Sequence, residues 1–200
     1  MSEAVTGQEG HHSSLGLSNV KLGMWALLAS ECLFFGALIS TYLLYVRRTG
    51  DGPTPAEIFD IPFTSVSTFV LLMSSLGMVL ALAAVQSGDH RGFRTWTLAT
   101  ALMGLVFLSG QVYEFTVFFA EDMTITTSPF SSAFFVLTGF HGAHVAFGVL
   151  MLLAMWAASM LGKLPTERAE TVEIVGLYWH FVDIVWILIF TLIYLIPSEL

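Results

Sequence analysis

The chain has 200 residues, of which 56% are hydrophobic and 11% charged, with a formal net charge of −8. A mean hydropathy of +0.79 lies outside the range of soluble domains. The charges are nearly absent from five stretches of roughly 25 residues, each longer than the ~20 helical residues that cross a hydrocarbon core of about 30 Å. Period-two alternation is missing, which argues against a transmembrane β-barrel, and no basic run points to nucleic acid as a partner. The composition therefore predicts an all-α polytopic membrane protein, a bundle of five transmembrane helices.

In chain order, residues 1–21 form a polar tail without the basic n-region of a secretory signal. A short cytoplasmic tail is the simplest reading, and its His11 and His12 are read as solvated. The transmembrane domain occupies residues 22–200. The first predicted span covers 22–46 and stops at Arg47 and Arg48. The segment RRTGDGPTPAEIFDIP, with three prolines and two glycines, reads as a loop. The second span covers 63–85 and the third 95–120, with the polar turn SGDHRGFR between them. The fourth covers 130–161 and is long enough to tilt or overhang. The fifth covers 172–196, before Pro197. The single cysteine, Cys32, cannot form an intrachain disulfide or a two-cysteine metal pair, and is read as a packing residue.

Lysine and arginine set the expected orientation. The tail, the second loop and the fourth loop share one side and carry Lys21, Arg91, Arg94, Lys163 and Arg168, against Arg47 and Arg48 opposite. Five against two places the N-terminus in the cytoplasm and the C-terminus outside.

Ionisable groups in hydrocarbon are costly, and each needs a partner or a task. Gln111 and Glu114, His141 and His144, and His180 and Asp183 are three apart on the third, fourth and fifth spans. Residues at i and i+3 share a helix face, so three helices each present a polar pair, and an inward-facing polar cluster is expected. Interhelical hydrogen bonding explains such a cluster; a metal site of histidines and carboxylates is the sharper and less favoured alternative. Glu31 lies near the middle of the first span with Leu27, Leu28, Phe34 and Phe35 as sequence neighbours. It serves either as a structural hydrogen-bond donor or as a proton-handling group. Two small-xxx-small pairs, Gly139 with Ala143 and Gly142 with Ala146, mark close helix packing on the fourth span.

The same stretches resemble subunit III of the haem-copper respiratory oxidases. ASECLFFGALISTYLLY resembles the family's Ser-Glu-x-x-Phe-Phe helix, and GQVYEF its Gln-x-x-x-Glu region. SSAFFVLTGFHGAHVAFG, centred on TGFHGAHV, carries the most specific likeness. LYWHFVDIVWILIFTLIYL resembles the family's C-terminal Tyr-Trp-His-Phe-Val-Asp helix. The resemblance runs in order over about residues 22 to 196 and looks like the short five-helix bacterial form, without the first two spans of larger members.

The resemblance implies a subunit without a redox centre, multi-pass in the bacterial cell (inner) membrane. It implies packing against the catalytic subunit I, with subunit II in the same complex, and membership of a larger respiratory supercomplex is an open option. Haem and copper belong to the partner subunits, phospholipid binds this one, and the complex reduces oxygen to water with proton translocation. Glu31 matches the family's carbodiimide-reactive buried carboxylate, linked to proton uptake. Gln111, Glu114, His141, His144, His180 and Asp183 match polar motif positions and are carried over as structural or lipid-associated; no catalytic residue and no metal ligand is expected. Rival readings are subunit III of a quinol oxidase and the subunit III-like accessory protein of a nitric oxide reductase. An independent proton-coupled transporter lacks support, since no inverted repeat or broken helix pair is visible.

Overall fold

The computed structural model describes residues 18–50, 52–162 and 169–196. Five long helices account for nearly all of them: α1 (Asn19–Tyr45), α3 (Ile61–Gln86), α4 (His90–Ala120), α5 (Pro129–Met160) and α6 (Ala169–Phe190), the last extended by a π-helical turn, Thr191–Leu195. All five are long and apolar enough to cross a membrane. His11, His12, Lys163 and Arg168 lie outside the described residues.

The helix starts follow from local capping chemistry. Ser18 accepts from the Lys21 amide, Asp60 from Phe63, and Asp89 from Arg91 and Gly92. Ser128 and Ser131 bond reciprocally in a capping box, with Pro129 just inside α5. These caps move two boundaries away from the hydropathy limits. α1 begins within the expected tail, and α4 begins five residues before the expected 95, because Asp89 can cap a helix that still carries Arg91 and Arg94. The turn between α3 and α4 is short because Gly88 takes a left-handed conformation, φ 77°. The segment expected as a plain loop after α1 contains a one-turn helix, α2 (Pro55–Ile58).

Helices α3, α4, α5 and α6 form a four-helix core in which α3 adjoins α4 and α6, and α5 adjoins the same two. Helix α1 stands outside this ring against α5 and α6. It buries Leu28, Phe35 and Tyr42, a stripe with the seven-residue spacing of two helical turns. Met24, Phe34, Leu38, Ile39 and Tyr45 flank this stripe, partly buried against the core; Cys32 is exposed, so the expected packing role for that cysteine does not hold within this chain.

Trp179 fills the centre of the ring. It is fully buried, and its indole Nε1 donates to Ser74 Oγ of α3 at 2.9 Å. A Cβ on Gly104 of α4 would lie 2.7 Å from its ring, and one on Gly148 of α5 would also lie 2.7 Å away. One α6 side chain thus touches all three neighbours, and two glycines make the space. In a bilayer apolar side chains gain little from leaving lipid, so close packing of this kind carries helix association. The small-residue pairs named from sequence divide. Gly142 is packed against the Gln111 side chain, whereas Gly139 faces open space and Ala143 is exposed.

Ion pairs and caps tie the ends together. Lys21 Nζ is 2.7 Å from Glu173 Oε1, and Ser18 donates to Glu170, joining α1 to α6. Arg94 donates to the Ser159 hydroxyl at 3.0 Å and to its carbonyl at 2.7 Å, joining α4 to α5. At the other end of α1 the Phe130 amide donates to the Arg48 carbonyl at 3.3 Å.

Candidate functional site: polar pairs at the helix seams

The seven intramembrane polar residues do not converge on one point. They divide among the seams of the bundle, and each has a partner on a neighbouring helix.

Glu31 sits on the α1/α5 seam, and its partner is His144, with Nε2 3.2 Å from Glu31 Oε2 and both side chains about one-fifth exposed. Its apolar sequence neighbours are not its only surroundings, since α5 brings an imidazole across. His144 Nδ1 lies 2.7 Å from the Phe140 carbonyl. A carbonyl only accepts, so Nδ1 carries a hydrogen. Nε2 can then hydrogen-bond Glu31 in two ways: as a lone pair accepting from a protonated carboxyl, or as an N–H of an imidazolium donating to a carboxylate. Either way one proton is held between the two groups. The pair lines a cleft of about 340 Å³ with Leu27, Phe140, Ala143, Phe147 and Tyr178. Tyr178 closes the cleft from α6, and its hydroxyl donates to the His144 carbonyl at 3.1 Å. A second cleft of about 220 Å³ lies further along the same seam, between Leu38, Thr41 and Tyr45 of α1 and Pro129, Ser132 and Val136 of α5.

His141, one turn before His144, turns inward instead. It is fully buried, with Nε2 3.2 Å from the Val182 carbonyl of α6, so Nε2 carries the hydrogen. Its ring lies on Trp186 at a centroid distance of 4.8 Å, with Phe107 edge-on at 5.9 Å. Gln111 Nε2 donates to the Thr138 carbonyl at 2.7 Å, across the α4/α5 seam. Glu114 is buried on the α3/α4 seam within hydrogen-bonding reach of the Thr64 hydroxyl, near the start of α3.

The α3/α6 seam carries a row of bonds. Trp186 Nε1 donates to Thr68 Oγ1 at 2.9 Å and Trp179 to Ser74 at 2.9 Å. Between them Ser75 Oγ bonds both Asp183 Oδ2 and His180 Nδ1, the latter at 2.8 Å. Of this row, sequence reading picked out His180 and Asp183 and missed Thr68, Ser74, Ser75, Trp179 and Trp186; it also missed Thr64, the partner of Glu114. A signal was present: hydroxyl residues recur along the second span at 64, 65, 67, 68, 74 and 75, within a stretch that is otherwise apolar. Among the described residues no three His, Cys, Asp or Glu side chains come together in a group that could hold a metal ion.

Fold and seams define a polytopic membrane bundle whose intramembrane polar groups pair between helices. The model of the family cytochrome c oxidase subunit III matches residues 2–198, and the chain belongs to that family, a subunit of the haem-copper oxidases. It is 38% identical over 92% of its length to cytochrome c oxidase subunit 3 of Bacillus sp. (strain PS3), covering 89% of that protein. It is 39% identical over 94% of its length to cytochrome c oxidase subunit 3 of Synechocystis sp. (strain ATCC 27184 / PCC 6803 / Kazusa), covering 79% of it. It is also 35% identical over 92% of its length to quinol oxidase subunit 3 of Bacillus subtilis (strain 168), covering 90% of it.

Proposed function

We propose that this chain is the non-redox subunit III of a cytochrome c oxidase, packed directly against the catalytic subunit I with subunit II in the same complex. Its tasks are to stabilise the catalytic subunit, to bind phospholipid and to support proton uptake while the complex reduces oxygen to water and translocates protons. Haem and copper reside in the partner subunits. The chain lies in a bacterial inner membrane with its N-terminus cytoplasmic, in keeping with the lysine and arginine distribution.

The observation that carries the reading is the Glu31–His144 pair in the wall of an apolar cleft. An apolar groove between two transmembrane helices suits an acyl chain. A carboxyl–imidazole pair that shares one proton and is one-fifth exposed suits a group that takes protons up and passes them on. The same subunit in a quinol oxidase is the second reading, favoured by the 35% identity to the Bacillus subtilis quinol oxidase subunit.

The test is purification of the complex through a tag on this chain in mild detergent, with a visible spectrum, partner identification and lipid analysis. The expected result is a haem- and copper-containing oxidase that turns over reduced cytochrome c. A complex that oxidises only quinol selects the second reading. Stripping this chain from the complex leaves initial oxygen reduction intact and shortens the working life of the enzyme. Immediate loss of turnover with subunits I and II intact overturns the assigned role.

A further inference from the structure

The Ser75 hydroxyl has one hydrogen and two partners on α6. Asp183 is 97% buried, Oδ2 bonds Ser75, and Oδ1 is buried without a hydrogen bond to the described residues. His180 is half-buried, bonds Ser75 through Nδ1 at 2.8 Å, and has no hydrogen bond at Nε2 to the described residues. It lies on the face of α6 that carries Ile184 and Ile187, both exposed. Ser75 lies about 11 residues from the end of α3, and His180 about 11 from the start of α6. At ~1.5 Å per residue both are roughly 16 Å from those ends, near mid-membrane.

Two neutral-imidazole arrangements satisfy both bonds of Ser75 Oγ, to His180 Nδ1 and to Asp183 Oδ2. In the first, His180 Nδ1–H donates to Ser75 Oγ, Ser75 O–H donates to the Asp183 carboxylate, and Nε2 presents a lone pair outward. In the second, protonated Asp183 donates to Ser75, Ser75 donates to the Nδ1 lone pair, and Nε2 presents an N–H outward. The second holds one proton more than the first.

We propose that His180, Ser75 and Asp183 form a proton-loading site on the α3/α6 seam, in which a proton taken up at His180 Nε2 is deposited on Asp183. The step balances without a co-reactant beyond the incoming proton, supplied by water or an acidic O–H at this face. A bond forms from that proton to Nε2. The Nδ1 proton passes to Ser75 Oγ, and the Ser75 proton passes to Asp183 Oδ2. The charge of the group goes from −1 to neutral, and the imidazole is neutral before and after with its tautomer exchanged.

The lysine, glutamate and histidine side chains of the described residues on α1 and α5, the other helices packed against α6 with α3, are engaged elsewhere. On α1, Lys21 pairs with Glu173 and Glu31 with His144. On α5, His141 is bonded to the Val182 carbonyl. On α3 the sole partner is the Ser75 hydroxyl, and Glu114 of α4 meets Thr64 at the far end of that helix. The site shares no residue with the Glu31–His144 pair and stands whether or not that pair handles protons.

The test uses the whole purified complex in lipid nanodiscs, with this chain carrying 15N-histidine. Infrared spectra and nitrogen resonances are recorded from alkaline to acidic pH. The expected result has two parts. A carboxylic-acid C=O band of one group per chain, absent from Asp183→Asn, grows as pH falls. Over the same range the His180 resonance, assigned through its loss in His180→Gln, passes from the Nδ1–H to the Nε2–H form. In Ser75→Ala the two changes no longer coincide, and in Ser75→Thr they do. A wild-type His180 that keeps one tautomer at every pH overturns the proposal and leaves a structural staple. Coincident changes in Ser75→Ala overturn the hydroxyl as the conduit. If Asp183→Asn fails to assemble, the wild-type tautomer series and the two Ser75 variants decide the matter alone.

Discussion

At the scale of single residues, the polar groups of this membrane domain are governed by what they can reach. Glu31 could be found in the sequence, because a carboxyl in an apolar span is conspicuous, but its partner could not: His144 is on another helix, and its register against α1 is set by packing. Replacing Glu31 with Gln leaves a side-chain N–H that can donate to the His144 Nε2 lone pair, so retention of this chain in the complex, read by its melting, stays near wild type, while carbodiimide labelling at this position is lost. Replacing it with Leu leaves a part-buried imidazole nitrogen without its bond, and about 1–3 kcal/mol is lost. Glu57 is the corresponding case in water. It is exposed in the segment after α1, and the Thr54 amide and then the Thr54 hydroxyl, each at 2.8 Å, hold its carboxyl below the ordinary value of 4.5. A depressed carboxyl contributes order above its unfolded value and loses it as pH falls through the folded one. Protection of the Thr54 amide from exchange therefore declines on acidification in the wild type. In Glu57→Gln it is lower and flat with pH.

At the scale of elements, helix identity was legible and helix contacts were not. Five apolar stretches are enough to draw five helices, and the caps at Ser18, Asp60, Asp89 and Ser128 fix where four of them begin. The expected single cluster of polar pairs dissolved because an i, i+3 pair shares a face without fixing which neighbour it meets. His141 and His144 are the clearest instance: one points into the core against Trp186 and the other outward to α1. Spacing rules likewise marked Gly139 and Gly142 as equals, whereas the structure packs only Gly142 and also packs Gly104 and Gly148 closely against Trp179. These glycines admit Trp179, which bridges α3, α4 and α5. Gly148→Ala puts a methyl 2.7 Å from the indole and lowers stability by about 1–3 kcal/mol through overpacking, seen as an earlier melting of the subunit. Gly139→Ala, with nothing within 4 Å of its added carbon, melts with the wild type. Equal effects from the two would remove Trp179 from its bridging place.

At the scale of the whole molecule, the chain is a four-helix core with one helix leaning on it. The core is closed by buried hydrogen bonds at every seam, while α1 fully buries only Leu28, Phe35 and Tyr42 and is held besides by a few polar tethers. One lies in the membrane, Glu31 to His144; two lie at its start, Lys21 to Glu173 and Ser18 to Glu170. The cleft with the Glu31–His144 pair exists because α1 meets the core along this narrow line, so the tethers set the width of the candidate site as well as the position of the helix. Lys21→Glu places a carboxylate opposite Glu173 and beside Glu170, which replaces an attraction with a repulsion at the end of α1. Lys21 and Glu173 are 23% and 39% exposed, so solvent screens the pair and its worth is below about 1 kcal/mol. That corresponds to up to about a fivefold rise in opening of the first turns of α1, read as faster amide exchange there, while the centre of α6 is unchanged. The exchanged pair, Lys21→Glu with Glu173→Lys, restores the wild-type rate because attraction returns with its partners reversed. If the exchanged pair opens as fast as the single variant, the ion pair is not what holds α1, and the Glu31–His144 pair, the Ser18–Glu170 bond and the Leu28, Phe35 and Tyr42 stripe hold it without Lys21.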